Sequence, residues 1–182
     1  MREPELADNL ATYAARTLAP EATVQLGARL GRALRAGDVV LLRGDLGAGK
    51  THFARGIAAG LGIVGPVPSP TFTLANEYDG TNAAGEAVPL AHLDLYRLGE
   101  SGDLDSVGLA DYLSEPWAAI IEWPERAMDA GFVPVSHLDI AFTSEDVGED
   151  DGNGARQLIF TAHGAAVRLL DALTETGGGV DD

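Results

Sequence analysis

Residues 44–51 read GDLGAGKT, and no other stretch of the chain restricts its fold so tightly. Glycines at 44, 47 and 49 let the backbone curl so that successive amides face inward, a conformation that side-chain-bearing residues resist. The string fits G-x-x-x-x-G-K-[ST], a loop that cradles phosphate only when a buried strand precedes it and a helix follows. Both flanks qualify. DVVLLRG (38–44) is a short apolar run with β-branched residues, bounded by Asp38 and Gly44. THFARGIAAGLG (51–62) places Phe53, Ile57 and Leu61 at helical spacing.

The chemistry of the stretch follows from its residue types. Lys50 is the only lysine beside eleven arginines. A compact ammonium on a flexible stem reaches the β- and γ-phosphates of a nucleotide, which a planar guanidinium does not match in size or donor geometry. The nucleotide-binding set is therefore Gly44, Asp45, Leu46, Gly47, Ala48, Gly49, Lys50, Thr51 and His52, with the Thr51 hydroxyl a magnesium ligand. No N-K-x-D occurs to specify guanine, so ATP is the expected nucleotide. Hydrolysis also needs a carboxylate at a neighbouring strand end. AAIIE offers Glu122, whose alternative is a solvated strand end. HLDLYRL offers Asp94 on one face with His92 and Tyr96, where a structural hydrogen-bond cluster is an equal reading.

The rest of the chain reads as alternating helices and strands. Residues 1–10 are polar and 11–18 form an edge strand or an irregular lead-in. Pro20 opens an amphipathic helix that Gly37 stops. Three prolines in 65–70 forbid regular structure. Strands are expected over 71–78 and 87–96, paired as a hairpin with a long loop, and over 117–123, 135–143 and 154–162. A broken helical piece covers 103–113 and a last helix 164–173. The fold class is α/β, a P-loop-type mixed β-sheet flanked by helices, in one domain over 1–173 with a disordered tail at 174–182.

Charge and composition exclude several roles. The formal net charge of −16 repels nucleic acid and anionic lipid, so tRNA, DNA and membranes are not expected as direct partners. The acidic linker 144–153 lacks the ligand spacing of a calcium loop. The chain has no cysteine, hence no disulfide, thiol nucleophile or thiolate metal site. MREPELADNL has no apolar core of a leader, and no run is long enough to span a bilayer; a cytoplasmic protein is expected.

GDLGAGKT, SPTFTL followed by Tyr78, HLDLYRL and IEWPER occur in that order. The set resembles the TsaE family, bacterial P-loop ATPases needed for threonylcarbamoyladenosine in tRNA, over roughly residues 20–170. The resemblance implies catalysis by Glu122, Asp94 and Lys50, magnesium on Thr51 and Glu122, and Asp94 near the γ-phosphate. It further implies that Ser69, Pro70 and Thr71 form a switch-like loop over the phosphates, with Thr71 and Trp123 at the nucleotide. His52 stands where a second threonine is frequent in the family. The implied partners are TsaD, which transfers the carbamoyl group, and TsaB, with tRNA reached only through them. Two other readings remain open from the residues: an ATP-dependent switch that does not hydrolyse, and a P-loop kinase of a small molecule.

Overall fold

In the computed structural model, which describes residues 10–97, 108–132, 134–145 and 154–174, the first half of the chain runs β1 (Leu10–Thr17), α1 (Pro20–Ala33), β2 (Val39–Arg43), α2 (Lys50–Gly60), β3 (Ala75–Tyr78) and β4 (Leu90–Asp94). The second half runs α3 (Leu109–Tyr112), β5 (Ala118–Glu122), α4 (Glu125–Asp129), β6 (His137–Ser144), β7 (Arg156–His163) and α5 (Arg168–Thr174). The strands form one sheet of seven in the order β1-β7-β6-β2-β5-β4-β3. Its centre, β6-β2-β5-β4, is parallel, while β7, β1 and β3 pair antiparallel at the two sides. Among the described residues no helix is long and apolar enough to cross a membrane.

Alternation along the strands sorts the core into two layers. Val40, Leu42, Leu90, Ile120, Ile140 and Phe160 face α1, α2 and α5; Val39, Leu41, Leu93, Ala119 and Ile121 face Leu109 of α3 and Ala127 of α4. The central strands are apolar on both faces because both are covered, which is why they read as unbroken apolar runs. By the same alternation His92, Asp94 and Glu122 share the face of Leu90 and Ile120, against which α2 packs.

Helices α1 and α2 meet along a seam of glycines. A methyl group on Gly27 would lie 2.3 Å from the Phe53 carbonyl oxygen, and one on Gly31 would lie 2.2 Å from that of Ile57. From the other side, Gly56 would strike the Val24 carbonyl and Gly60 that of Ala28. Each helix thus carries two glycines four residues apart, one above the other on the contact face. Pro20 starts α1 at a position where its missing N–H costs nothing, with Glu21 in the first turn and Arg32 in the last, as the helix dipole favours.

Several sequence expectations are corrected by the structure. The strand expected over 71–78 begins only at Ala75, because the Thr73 and Leu74 amides both donate to the Pro70 carbonyl and close a turn. The strand expected over 87–96 is confined to Leu90–Asp94. The last helix opens as a 3-10 turn at Gly164–Val167 and extends to Thr174, a residue expected in the tail. The lead-in at 11–18 is an edge strand paired with β7 over its eight residues. Helix α4, after Pro124, was not expected. Residues 1–9, 98–107, 146–153 and 175–182, which hold most of the polar N-terminus, the first five residues of the broken helical piece, and most of the acidic linker and of the tail, lie outside the described residues.

The seam sets a stability test. Gly31→Ala adds a carbon where only backbone can yield, and the expected cost is about 1–3 kcal/mol. Urea denaturation should show the midpoint falling with an unchanged slope.

Candidate functional site

The parallel register brings the carboxyl ends of three strands level: Leu42 pairs with Glu122, and Asp94 pairs with Glu122. The loop after β2 therefore emerges beside both carboxylates. Gly44, Gly47 and Gly49 all take positive φ, at 136°, 82° and 105°. Gly49, in the left-handed region, starts α2 without a side-chain cap, and the first turn of α2 holds no acidic residue. An anion is what this helix end lacks. Gly49 is required twice over, since a methyl group there would also meet the Arg156 side chain at 2.8 Å.

A pocket of about 360 Å³ opens over this loop, lined on one side by Gly47, Gly49, Lys50, Thr51 and His52 and on the other by Ser69, Thr71, Asp94, Glu122 and Trp123. Lys50 is buried, 4% exposed, with Nζ donating to the carbonyls of Gly44 and, at 2.8 Å, Asp45. The ammonium also lies 4.2 Å from the centre of the Trp123 ring. Burial pulls its pKa below the ordinary lysine range, against the opposing pull of Glu122, Asp94, Glu125 and Asp45. A cation held in apolar surroundings among carbonyls gains by receiving phosphate oxygens. His52 has its pKa lowered by burial and then by Arg55 and Arg156, so it tends to the neutral form.

Two carboxylates close the far wall. Glu122 Oε1 accepts from His92 Nε2 at 2.8 Å and from the Thr51 hydroxyl at 3.4 Å. Asp94 Oδ2 accepts from the Thr71 hydroxyl at 2.6 Å and from Ser69 at 3.2 Å, while Oδ1 takes the Tyr96 amide at 2.9 Å. Asp94 is thereby the anchor of the 69–74 turn. Trp123 adopts φ 59°, a strained conformation for an aromatic residue, held by its amide on the Leu42 carbonyl, by Lys50 and by the Tyr96 ring 5.0 Å away.

The site suits magnesium only together with phosphate. Thr51 and Glu122 are hard oxygen donors side by side, yet no cluster of three or more His, Cys, Asp or Glu exists among the described residues to hold a metal alone. Magnesium commonly takes one or two protein oxygens and completes its shell with phosphate and water. The donors present fit that division.

The structure brings Leu46, Gly47, Gly49, Lys50, Thr51, His52, Thr71, Asp94, Glu122 and Trp123 to one pocket. Gly44 and Asp45 contribute through their carbonyls to Lys50, and Ala48 is buried in the core instead of lining the pocket. The sequence reading missed Arg55, which lines the pocket one helical turn after Thr51, a spacing that could have found it. It grouped His92 and Tyr96 with Asp94 but did not give the contacts they make: the tilted contact of Tyr96 with Trp123 and the bond of His92 to Glu122 join separate segments and leave no local signal.

Residues 17–153 match the family described as threonylcarbamoyl adenosine biosynthesis protein TsaE. The chain is 43% identical over 156 residues to the tRNA threonylcarbamoyladenosine biosynthesis protein TsaE of Nostoc, covering 84% of this chain and 87% of the relative. It is 38% identical to the protein of that name from Bacillus subtilis, over 85% of this chain and 89% of the relative. The crystal structure of Bacillus subtilis YdiB superposes with a TM-score of 0.72 at 32% identity, spanning 91% of this chain and 95% of that one.

Thr71→Val removes the shortest bond to the buried Asp94 carboxylate, a charged hydrogen bond whose loss costs about 1.5–3 kcal/mol. Amide exchange at Thr73 and Leu74 should quicken while that of the β2 core stays slow.

Proposed function

The chain belongs to the TsaE family, and from that membership we propose that it binds ATP with magnesium and hydrolyses it in support of tRNA threonylcarbamoyladenosine formation. In this reading it acts in the cytoplasm on a complex of TsaD and TsaB, and tRNA is handled by those partners, as a net charge of −16 favours.

The observation that carries the reading is the meeting of Thr51 and Glu122 beside the phosphate loop, 3.4 Å apart, in the pocket where the Lys50 ammonium lies 4.2 Å from the Trp123 ring. Backbone amides of 47–51 and the α2 N-terminus hold the β-phosphate. Lys50 shifts its donors from the Gly44 and Asp45 carbonyls to β- and γ-oxygens. Thr51 and Glu122 hold magnesium, which when bound offsets phosphate charge as it builds on the leaving oxygen. Glu122 orients the attacking water. The water oxygen bonds to the γ-phosphorus, the bond to the β,γ-bridging oxygen breaks, and ADP and inorganic phosphate leave. Asp94 senses the γ-phosphate through Ser69 and Thr71.

A second reading is favoured by that last triad: ATP fixes the 69–74 turn for a partner and is released intact. The two differ in one variant. Lys50→Ala should weaken ATP binding about a hundredfold or more, close to 2.8 kcal/mol, in calorimetric titration. Glu122→Gln should leave nucleotide binding in EDTA within a few fold and lower phosphate release, measured with magnesium, TsaD and TsaB present, by on the order of a hundredfold. If Glu122→Gln releases phosphate at the wild-type rate, Glu122 has no part in hydrolysis. If the wild-type protein with its partners releases none, the switch reading replaces the ATPase.

A further inference from the structure

Beneath the pocket one buried side chain has no role in the account above. His92, on β4, is fully buried, and its ring nitrogens are treated unequally. Nε2 lies 2.8 Å from Glu122 Oε1, whereas Nδ1 is sealed from solvent with no hydrogen-bond partner. A buried nitrogen left without a partner costs free energy that an apolar residue of the same size would avoid. The ring is therefore oriented for Glu122 at its own expense.

Glu122 shows the other half. The only donors on the carboxylate, among the described residues, are His92 and the more distant Thr51 hydroxyl, and both fall on Oε1. Among the described residues nothing donates to Oε2, which is not one of the sealed polar atoms and belongs to a residue that lines the pocket. Without His92 the carboxylate is fixed by one bond of 3.4 Å, at the limit of hydrogen-bond geometry.

We propose that His92 is a positioning residue: its Nε2–H, donated to Oε1, pins the Glu122 carboxylate so that Oε2 is presented to the magnesium side of the pocket. His92 touches neither nucleotide nor metal and acts only through Glu122. The inference rests on the ATPase reading and deepens it.

Glutamine places an N–H close to the position of Nε2, so His92→Gln keeps the donor, while His92→Leu keeps the bulk and loses it. The full-length chain is titrated with the non-hydrolysable analogue AMP-PNP in EDTA and again in magnesium, and turnover is measured with TsaD and TsaB. In EDTA all three proteins should bind alike. Magnesium should tighten binding in the wild type and in His92→Gln, and His92→Leu should lose about tenfold of that gain. Its kcat should fall at least tenfold, and KM for ATP in magnesium should rise by about the factor by which the analogue's affinity falls. A folded His92→Leu that keeps both the magnesium gain and the turnover overturns the proposal, and so does a His92→Gln that loses as much as His92→Leu. Nitrogen-15 spectra of the wild-type imidazole decide the donor even where a variant does not fold or no hydrolysis is found. A proton on Nε2 with Nδ1 bare supports the proposal, and a proton on Nδ1 alone overturns it. Failure of the ATPase reading shows separately, as a wild type without magnesium-dependent binding or phosphate release.

Discussion

The site depends on strand register. Because Leu42, Glu122 and Asp94 stand level across β2, β5 and β4, the phosphate loop begins where two carboxylates end their strands. A slip of one residue in β5 would turn Glu122 to the face of α4 and bring Ile121 toward Thr51. Apolar burial on both faces of the sheet forbids it: each slip exchanges fully packed positions of one layer for those of the other. The amides of Leu95 and Trp123, bonded to the Glu122 and Leu42 carbonyls, fasten the strand ends at that level. Core packing and site geometry are thus one constraint.

Within that frame the charges are arranged around a deficit. Lys50 is a buried cation on which the charges of Glu122 and Asp94 act, and its own donors are already turned to carbonyls. Two carboxylates beside a triphosphate repel it, and one ammonium does not offset them. In the proposed function a divalent ion between Thr51 and Glu122 would restore the balance, an electrostatic reason for metal and nucleotide to bind together. The rings of Trp123 and Tyr96, 5.0 Å apart, flank the same site.

The legible part of the molecule was the local part. GDLGAGKT, its strand and its helix are written within twenty-five residues, and AAIIE shows a carboxylate closing a buried run. Alternation put His92 with Asp94 but could not show that His92 reaches Glu122 on the neighbouring strand. The turn at 70–74 was read as strand because TFTLANEY is rich in β-forming residues, while the Pro70 carbonyl, taken by two amides, prevails over propensity. Glycine is a poor helix former, and only the approach of the two backbones explains the pairs in α1 and α2. Trp123 gave no sign of its left-handed backbone, which is imposed by what surrounds it.

The glycine seam also says where this protein can move. Carbonyls that a methyl group would meet at 2.2–2.3 Å leave no play for α2 to slide or roll against α1. The phosphate side of the pocket is consequently an anvil, fixed through α1 to the sheet. The opposite side is tied to Asp94 by the Ser69 and Thr71 hydroxyls and by the Asp94 amide on the Leu74 carbonyl, with Phe72 at its tip 82% exposed. In the proposed function, the difference between a triphosphate and a diphosphate would be expressed through that wall, where Asp94 meets Ser69 and Thr71.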